Sequence, residues 1–183
     1  MINIFQTILE MLWFFLPAYV ANMMATGSKY LRILDKPVDF GKSWKGVRIL
    51  GDHKTFRGFI VGIIFSILLA FLQTRLVSIN FFNSISLLDY STVNFVFLGF
   101  LLGFGALFGD SIESFFKRRI GLEPGKPWIP FDQIDWVLGG LVFGAIIYAL
   151  SFWHIVAAVI LFPVLHVVIN YISYYLKIKN EKW

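Results

Sequence analysis

The sequence predicts an all-α, polytopic membrane protein with five transmembrane helices. Hydrophobic residues make up 58% of the 183 positions, and the mean hydropathy is +0.74. Both values exceed those of ordinary soluble domains. The apolar residues are gathered into five long runs, and the basic residues collect in alternate connections between these runs. Together these three observations predict the number of spans and their order.

Each apolar run is expected to be a helix, because lipid cannot hydrogen-bond free backbone groups. The first run begins almost at the N-terminus but lacks the basic segment and the small-residue cleavage site of a signal peptide, so we expect it to be retained. The fourth run is rich in glycine and alanine, which predicts close packing against another helix. Residues 1–183 are expected to form one integral membrane domain. The five runs cover residues 3–25, 58–77, 91–109, 134–150 and 152–176.

Fifteen of the sixteen lysine and arginine residues fall on one side of this five-span arrangement, with Arg75 as the exception. Loop 26–57 carries eight of them, loop 110–133 carries four and the C-terminal tail carries three. The positive-inside rule then places the N-terminus outside and both charged loops and the C-terminus in the cytoplasm. Topology therefore accounts for the net charge of +5, and we do not take it as a sign of nucleic-acid binding.

Several chemistries are excluded by composition. The chain has no cysteine, which removes disulfides, thiolate nucleophiles and cysteine-based zinc or iron–sulfur sites. No Ser-His-Asp arrangement with supporting context is present. His166 and Asn170 share a face of the fifth span, where hydrogen bonding between helices is the favoured interpretation.

The stretch from Gly109 to Gly140 mixes carboxylates with lysine and arginine at the border of two apolar runs. Charges at such a border are costly to desolvate, which indicates a functional site. Asp110, Glu113 and Lys117 recur at helical spacing, so they share a face if the third helix continues past the membrane. The alternative is a solvated loop with scattered ion pairs.

The turn over residues 121–130 is rich in proline and glycine and can bring the entrance of the fourth span back against the third. Asp132 and Asp135 are three apart at that entrance, and Asp110 lies at the end of the third span. Carboxylates that meet in this way repel one another unless a cation joins them, and oxygen ligands favour a hard cation such as Mg²⁺. We assign these three aspartates as ligands and Glu113 as an outer candidate, with one and two ions both open.

The first charged loop contains the segment Gly51–Gly58, whose residues can surround phosphate with an amide, an ammonium, a hydroxyl and a guanidinium. It lacks the spacing of a P-loop. The alternative is a basic anchor before the second span. Upstream, the stretch 39–46 is either a nucleotide contact or a basic amphipathic segment. Asn22, at the cytoplasmic end of the first span, either contacts substrate or bonds another helix.

The second loop resembles the signature of the membrane CTP:phosphatidate cytidylyltransferase superfamily. Ser114-Phe115-Phe116-Lys117-Arg118 matches its first part, Lys126 matches the loop base, and Asp132-Gln133-Ile134-Asp135 matches the last part. Gln133 replaces the arginine of the signature, and Pro127 follows the loop base where the signature has aspartate. These departures, the segment Gly51–Gly58 and the short five-span length resemble the archaeal branch of the superfamily, the CDP-archaeol synthases.

This resemblance implies a Mg²⁺-dependent transfer of a cytidylyl group from CTP to 2,3-bis-O-(geranylgeranyl)-sn-glycerol 1-phosphate. The products would be the CDP-activated lipid and pyrophosphate. The lipid phosphate is already an anion, so the protein's task would be positioning and charge neutralisation. The two prenyl chains would lie in a groove open to the bilayer, and the site of this multi-pass cell-membrane enzyme would face the cytoplasm.

The resemblance also assigns roles to the charged and polar residues of both loops. The catalytic residues implied are Asp110, Asp132, Asp135, Lys117 and Arg118. The substrate-binding residues implied are Asn22, Lys42, Asp52, Lys54, Thr55, Arg57, Ser114 and Lys126. The metal ligands implied are Asp110, Asp132, Asp135 and Glu113.

Three competing functions are kept. The closest is the same chemistry on a diacyl phosphatidic acid, since no residue separates ether from ester chains. A CDP-alcohol phosphotransferase is disfavoured because its Asp-Gly-x₂-Ala-Arg-type motif is missing. A small transporter or channel would place polar groups near the middle of the membrane, whereas these charges gather at one border. A monomer and a homodimer are both compatible with the sequence.

Overall fold

The computed structural model describes residues 3–123 and 126–177, and within these residues the helices are joined by loops and turns, with one short pair of strands. The antiparallel strands pair Ser43 with Arg48 and Trp44 with Val47, within the first charged loop. The predicted all-α class is thus confirmed, with this small ribbon as an addition. Lys179 and Lys182 of the predicted basic tail lie outside the described residues. The elements are α1 (Ile4–Gly27), a 3₁₀ turn (Ser28–Tyr30), β1 (Ser43–Trp44), β2 (Val47–Arg48), α2 (Phe56–Leu76), α3 (Asn80–Ser84), α4 (Phe95–Arg119), α5 (Phe131–Gly144) and α6 (Phe152–Tyr175).

Among the described residues, four helical segments are long and apolar enough to cross a membrane: Ile4–Tyr30, Phe56–Leu76, Phe95–Arg119 and Phe152–Ile172. The fourth predicted run differs, because α5 has 14 residues and ends at Gly144. Such a helix is about 21 Å long, whereas the hydrocarbon core of a bilayer is about 30 Å thick. The run 134–150 is therefore helical only in its first part, and residues 145–151 form turns and irregular chain.

Helices α1, α2 and α4 pack closely because glycine and other small residues lie between them. A Cβ atom at Gly62 of α2 would lie 2.7 Å from the carbonyl oxygen of Ala21 in α1. A Cβ atom at Gly99 of α4 would meet the backbone of Ile67, and the Ser66 hydroxyl donates to the Gly99 carbonyl oxygen at 2.7 Å. These contacts fix α2 against both of its neighbours.

Helices α4 and α5 pack even more tightly, through Gly105, Gly109 and Gly139. A Cβ atom at Gly139 would lie 1.9 Å from the Gly105 carbonyl oxygen, and one at Gly109 would lie 2.2 Å from the Asp135 carbonyl oxygen. The glycine-rich fourth run was expected to pack in this way. The consequence is that the first turn of α5 lies directly against α4 beside Asp110.

The contacts also define the direction of each helix. Phe162 of α6 packs on Phe15 of α1 and on Trp136 of α5, with ring centroids 5.0 and 5.2 Å apart. His154, near the start of α6, contacts Glu10, near the start of α1. Thus α1, α4 and α6 run one way and α2 and α5 the other. Both charged loops lie at the same end of the bundle as a result.

Candidate functional site

A polar cavity of about 300 Å³ opens at the end of the bundle where the charged loops meet. Residues from α1, α4, α5, α6 and the loop before α2 contribute to its wall, so the site is assembled from the whole chain. The lining residues are Asn22, Thr26, Leu50, Gly51, His53, Lys54, Asp110, Glu113, Ser114, Lys117, Arg118, Asp132, Asp135 and His166.

A second polar cavity of about 370 Å³ adjoins the first and shares Asn22, Lys54 and Asp110 with it. Nine of the fourteen predicted site residues line the first cavity, and the second adds Asp52, Thr55 and Arg57. Lys42 and Lys126 are exposed and line neither of these cavities. The cavities also bring in Thr26, His53 and His166, to which sequence reasoning gave no substrate-binding role.

An acidic cluster forms one wall of the first cavity. Asp110, Glu113 and Asp135 each offer a carboxylate oxygen, and these oxygens lie within 4.8 Å of one another. Hard divalent cations such as Mg²⁺ bind oxygen ligands of this kind. Helix α4 continues to Arg119, so Asp110 and Glu113 share a face as their spacing predicts, and the Gly109 contact adds Asp135 from α5. The three residues therefore fit a divalent cation.

Asp132, expected among the metal ligands, is placed differently. The Lys117 ammonium lies 2.7 Å from Asp132 Oδ1 and 3.1 Å from Glu113 Oε1. The other Asp132 oxygen accepts the backbone N–H of Trp128 at 3.0 Å. Asp132 thus closes the turn that precedes α5 and holds Lys117, while Glu113, expected to be an outer candidate, belongs to the acidic cluster.

Lys54 reaches the acidic cluster from the first charged loop. Its Nζ lies 2.5 Å from Asp110 Oδ2, a contact across 56 positions of sequence. The next residue, Thr55, caps α2 by accepting the Gly58 N–H at 3.2 Å. The start of α2 therefore fixes the backbone from which Lys54 extends.

Arg57 has a structural partner in addition to its place in the second cavity. Its guanidinium donates to the Leu31 carbonyl oxygen, and its backbone N–H donates to the Leu34 carbonyl oxygen at 2.8 Å. Arg57 therefore fastens the chain that leaves α1 to the start of α2. Arg118, by contrast, lines the first cavity and takes part in none of the ion pairs among the described residues.

Asp39 organises the first charged loop, a role that sequence reasoning did not find. Its carboxylate accepts the N–H groups of Gly41 at 3.0 Å, Leu50 at 3.0 Å and Gly51 at 3.3 Å, and a 3.0 Å bond from Arg48. Burial raises the pKa of Asp39, but the bonds from these amides and from the guanidinium outweigh burial and hold that pKa below its usual range. Leu50 and Gly51 are thereby positioned on the cavity wall.

Arg119 docks the β1–β2 ribbon on the end of α4. Its guanidinium lies over the rings of Phe115 and Trp44, 4.4 and 5.1 Å from their centroids. It also donates to the carbonyl oxygens of Val47 at 3.3 Å and Arg48 at 3.2 Å. Sequence reasoning counted Arg119 only as a charge. Its position directly after Lys117 and Arg118 was the one feature of the sequence that could have suggested a role for Arg119 near the site.

An apolar groove of about 400 Å³ runs between α4 and α5 and ends at the acidic cluster. Most of its wall is aliphatic or aromatic, whereas Glu113 and Asp135 supply the polar end. Such a groove suits a molecule with a long apolar chain and a charged head. The lining residues are Phe108, Gly109, Ile112, Glu113, Phe116, Trp128, Phe131, Ile134, Asp135, Leu138, Gly139, Val142 and Phe143.

Comparison with known proteins gives one consistent family. Residues 2–183 match the family of CarS-like CDP-archaeol synthases. A CDP-archaeol synthase from Methanocaldococcus jannaschii is 39% identical over 183 residues, covering 98% of this chain and 99% of the relative. One from Archaeoglobus fulgidus is 40% identical, covering 96% and 98%. A solved structure, of an intramembrane enzyme for archaeal membrane lipids biosynthesis, superposes with a TM-score of 0.68 at 28% identity, covering 87% of this chain and 91% of that one.

Proposed function

The chain belongs to the family of CarS-like CDP-archaeol synthases, and from this premise we propose how it makes a CDP-activated archaeal ether lipid. The substrates are CTP and 2,3-bis-O-(geranylgeranyl)-sn-glycerol 1-phosphate, and the second product is pyrophosphate. The observation that carries the proposal is the continuity of a polar cavity with an apolar groove through Glu113 and Asp135. A nucleotide and a lipid phosphate can thus meet at one acidic cluster.

The reaction is an in-line attack of a lipid phosphate oxygen on the α-phosphorus of CTP, with pyrophosphate leaving. The nucleophile is already anionic, so the protein contributes orientation and charge neutralisation rather than a strong base. Lys54, Lys117 and Arg118 line the first cavity and supply positive charge to the phosphates. Arg118 forms no ion pair among the described residues, which supports this assignment.

Asp110, Glu113 and Asp135 are the residues that would hold Mg²⁺, and a bound Mg²⁺ would neutralise phosphate charge and orient the triphosphate. Asp132 contributes by holding Lys117 at the cavity wall. Asn22 and Ser114, which line the first cavity, are proposed to bind substrate, with Asp52, Thr55 and Arg57 at the second cavity. The exposed Lys42 and Lys126 are proposed to contact the nucleotide from outside the cavities.

The groove between α4 and α5 is proposed to hold a prenyl chain of the lipid substrate. Leu138 lies on its wall and is 46% exposed, whereas Leu68 on α2 is 54% exposed and outside the groove. Leu138→Trp should raise KM for the lipid acceptor and leave KM for CTP unchanged, and Leu68→Trp should change neither. If Leu138→Trp has the KM values of the unmodified protein, this groove does not hold the chain.

The proposed topology is one multi-pass catalytic domain with five crossings, its N-terminus outside and its active site in the cytoplasm. The alternating helix directions support five crossings, with α5 and the irregular residues 145–151 together forming the fourth. The chain has no cysteine, so single cysteines at Ser84 and Lys36 can be labelled in inverted vesicles with an impermeant maleimide. Lys36→Cys should react and Ser84→Cys should not, and the reverse pattern would overturn the orientation.

The fate of radiolabel tests the reaction itself. With the ether lipid acceptor, label from [α-³²P]CTP should enter the lipid, whereas label from [γ-³²P]CTP should leave as pyrophosphate. Asp135→Asn and Asp132→Asn should both abolish turnover, but only Asp135→Asn should also weaken Mn²⁺ binding measured by electron paramagnetic resonance. Entry of the γ label into lipid would contradict the reaction, and full turnover in either variant would contradict the site.

A further inference from the structure

Lys54 contacts the acidic cluster at one of the carboxylates proposed to hold a metal ion. Its Nζ lies 2.5 Å from Asp110 Oδ2, and the two side chains are 19% and 25% exposed. An ion pair this sheltered is only partly screened by solvent. The ammonium group therefore supplies positive charge at the place where a divalent cation would supply it.

The ion pairs around the cluster show that a divalent cation and Lys54 would compete for the same carboxylate, Asp110. Lys117 is engaged by Glu113 and Asp132, and Asp135 has no ion pair among those that the described residues form. Among these ion pairs, Lys54 is therefore the ammonium group at Asp110. A divalent cation at Asp110 would repel that ammonium, because two positive charges would share one carboxylate.

The Lys54 side chain has open space beside it that it can enter when its ion pair with Asp110 is broken. Its side chain lines both polar cavities, of about 300 and 370 Å³. Its backbone is anchored next to the Thr55 cap of α2, so the change need involve only the side chain. An ammonium released there faces the space in which phosphate groups of the substrates would lie.

We propose that Lys54 is an exchangeable counter-ion of Asp110. In the metal-free protein it neutralises the carboxylate, and binding of a divalent cation to the cluster releases it to bind a phosphate group. The inference rests on the proposed function, since it takes the cluster as the metal site and phosphates as the anions. Cation and anion binding are then coupled, because the first makes a binding group available to the second.

The test measures how fast Lys54 is acetylated by an amine-reactive ester, by mass spectrometry of peptides, with no nucleotide or lipid present. Saturating Mn²⁺ should raise the rate at Lys54 several-fold, since a paired ammonium reacts more slowly than a released one. The exposed Lys36 is the internal reference and should not change. In Asp110→Asn, Lys54 should react fast without metal, and Mn²⁺ should add little.

A second measurement does not depend on how the Asp110 variant folds. Removing the competing ammonium in Lys54→Met should tighten Mn²⁺ binding by about tenfold, the scale of a hydrogen bond between charged groups. Arg118→Met removes a charge from the same cavity without freeing a carboxylate, so its effect should be clearly smaller. Equal effects of the two variants, or a Lys54 acetylation rate that Mn²⁺ leaves unchanged, would overturn the inference. Mg²⁺-dependent turnover measured on the same sample tests the proposed function separately.

Discussion

Replacement of Gly109 by alanine should damage the site without touching any charged side chain. A Cβ atom at this position would lie 2.2 Å from the carbonyl oxygen of Asp135, 3.0 Å from its carbonyl carbon and 3.2 Å from Cα of Gly139. All three atoms belong to the backbone of α5, so no side chain can rotate to relieve the contact. The first turn of α5 must move away from α4.

The size of that movement follows from the contact itself. Ordinary van der Waals contact begins at 3.4 Å, so relief of a 2.2 Å approach requires a displacement of about 1.2 Å, the difference between the two distances. Asp135 is carried along with that turn while Asp110 and Glu113 stay on α4, and the cluster widens. A misplacement of about 1 Å costs on the order of 100-fold in rate, and we expect that loss in kcat for CDP-lipid formation.

Gly27 provides the matched control for this substitution. It lies in helical backbone at the end of α1, and a Cβ atom there would meet nothing within 4 Å. Gly27→Ala should therefore have normal turnover, and both variants should elute as the unmodified protein does in gel filtration. Turnover of Gly109→Ala within about threefold of normal would refute the reasoning, since a factor of three is well under 1 kcal/mol of barrier.

Three further predictions concern parts of the protein around the site. The pKa of Asp39 lies below its ordinary value of 3.8, so its stabilising effect is fully present above that value and is lost as pH falls through the folded-state pKa. Asp39→Asn should therefore lower the melting temperature at neutral pH, and its melting temperature should decrease less below about pH 4 than that of the unmodified protein. The same decrease below about pH 4 in both proteins would contradict this. Arg119→Met should release the ribbon and increase quenching of Trp44 fluorescence by iodide, with Phe115→Leu as the milder comparison. Glu10 pairs with His154 at 3.0 Å at the far end of the bundle, so Glu10→Gln should reduce thermal stability and leave KM for CTP unchanged.

Helical periodicity was the strongest signal in the sequence, and it located much of the site. The spacing of Asp110, Glu113 and Lys117 predicts a helix that continues beyond the membrane border. Helix α4 does continue to Arg119. The small residues of the fourth run likewise predicted close packing, which occurs at Gly139. Both inferences start from the pattern of residues along a single helix, where sequence distance and spatial distance are linked.

Contacts between distant segments could not be predicted in this way. The pairing of Lys54 with Asp110 depends on how α2 and α4 are packed, and the choice between Glu113 and Asp132 depends on where the turn before α5 directs each carboxylate. Asp39 looked like part of a basic stretch, because the amides that it binds belong to residues two to twelve positions away. Hydropathy also overestimated the length of α5, since residues 145–151 are apolar but do not continue the helix.

The most direct test of the central claim is turnover of radiolabelled CTP by the purified protein in liposomes with a defined acceptor. With Mg²⁺ present, the geranylgeranyl ether phosphate should give a CDP-lipid, the diacyl ester phosphate should give less, and chelation of Mg²⁺ should stop the reaction. A preference for the ester would contradict the archaeal substrate. The absence of product with either acceptor from a protein of normal thermal stability would contradict cytidylyl transfer itself.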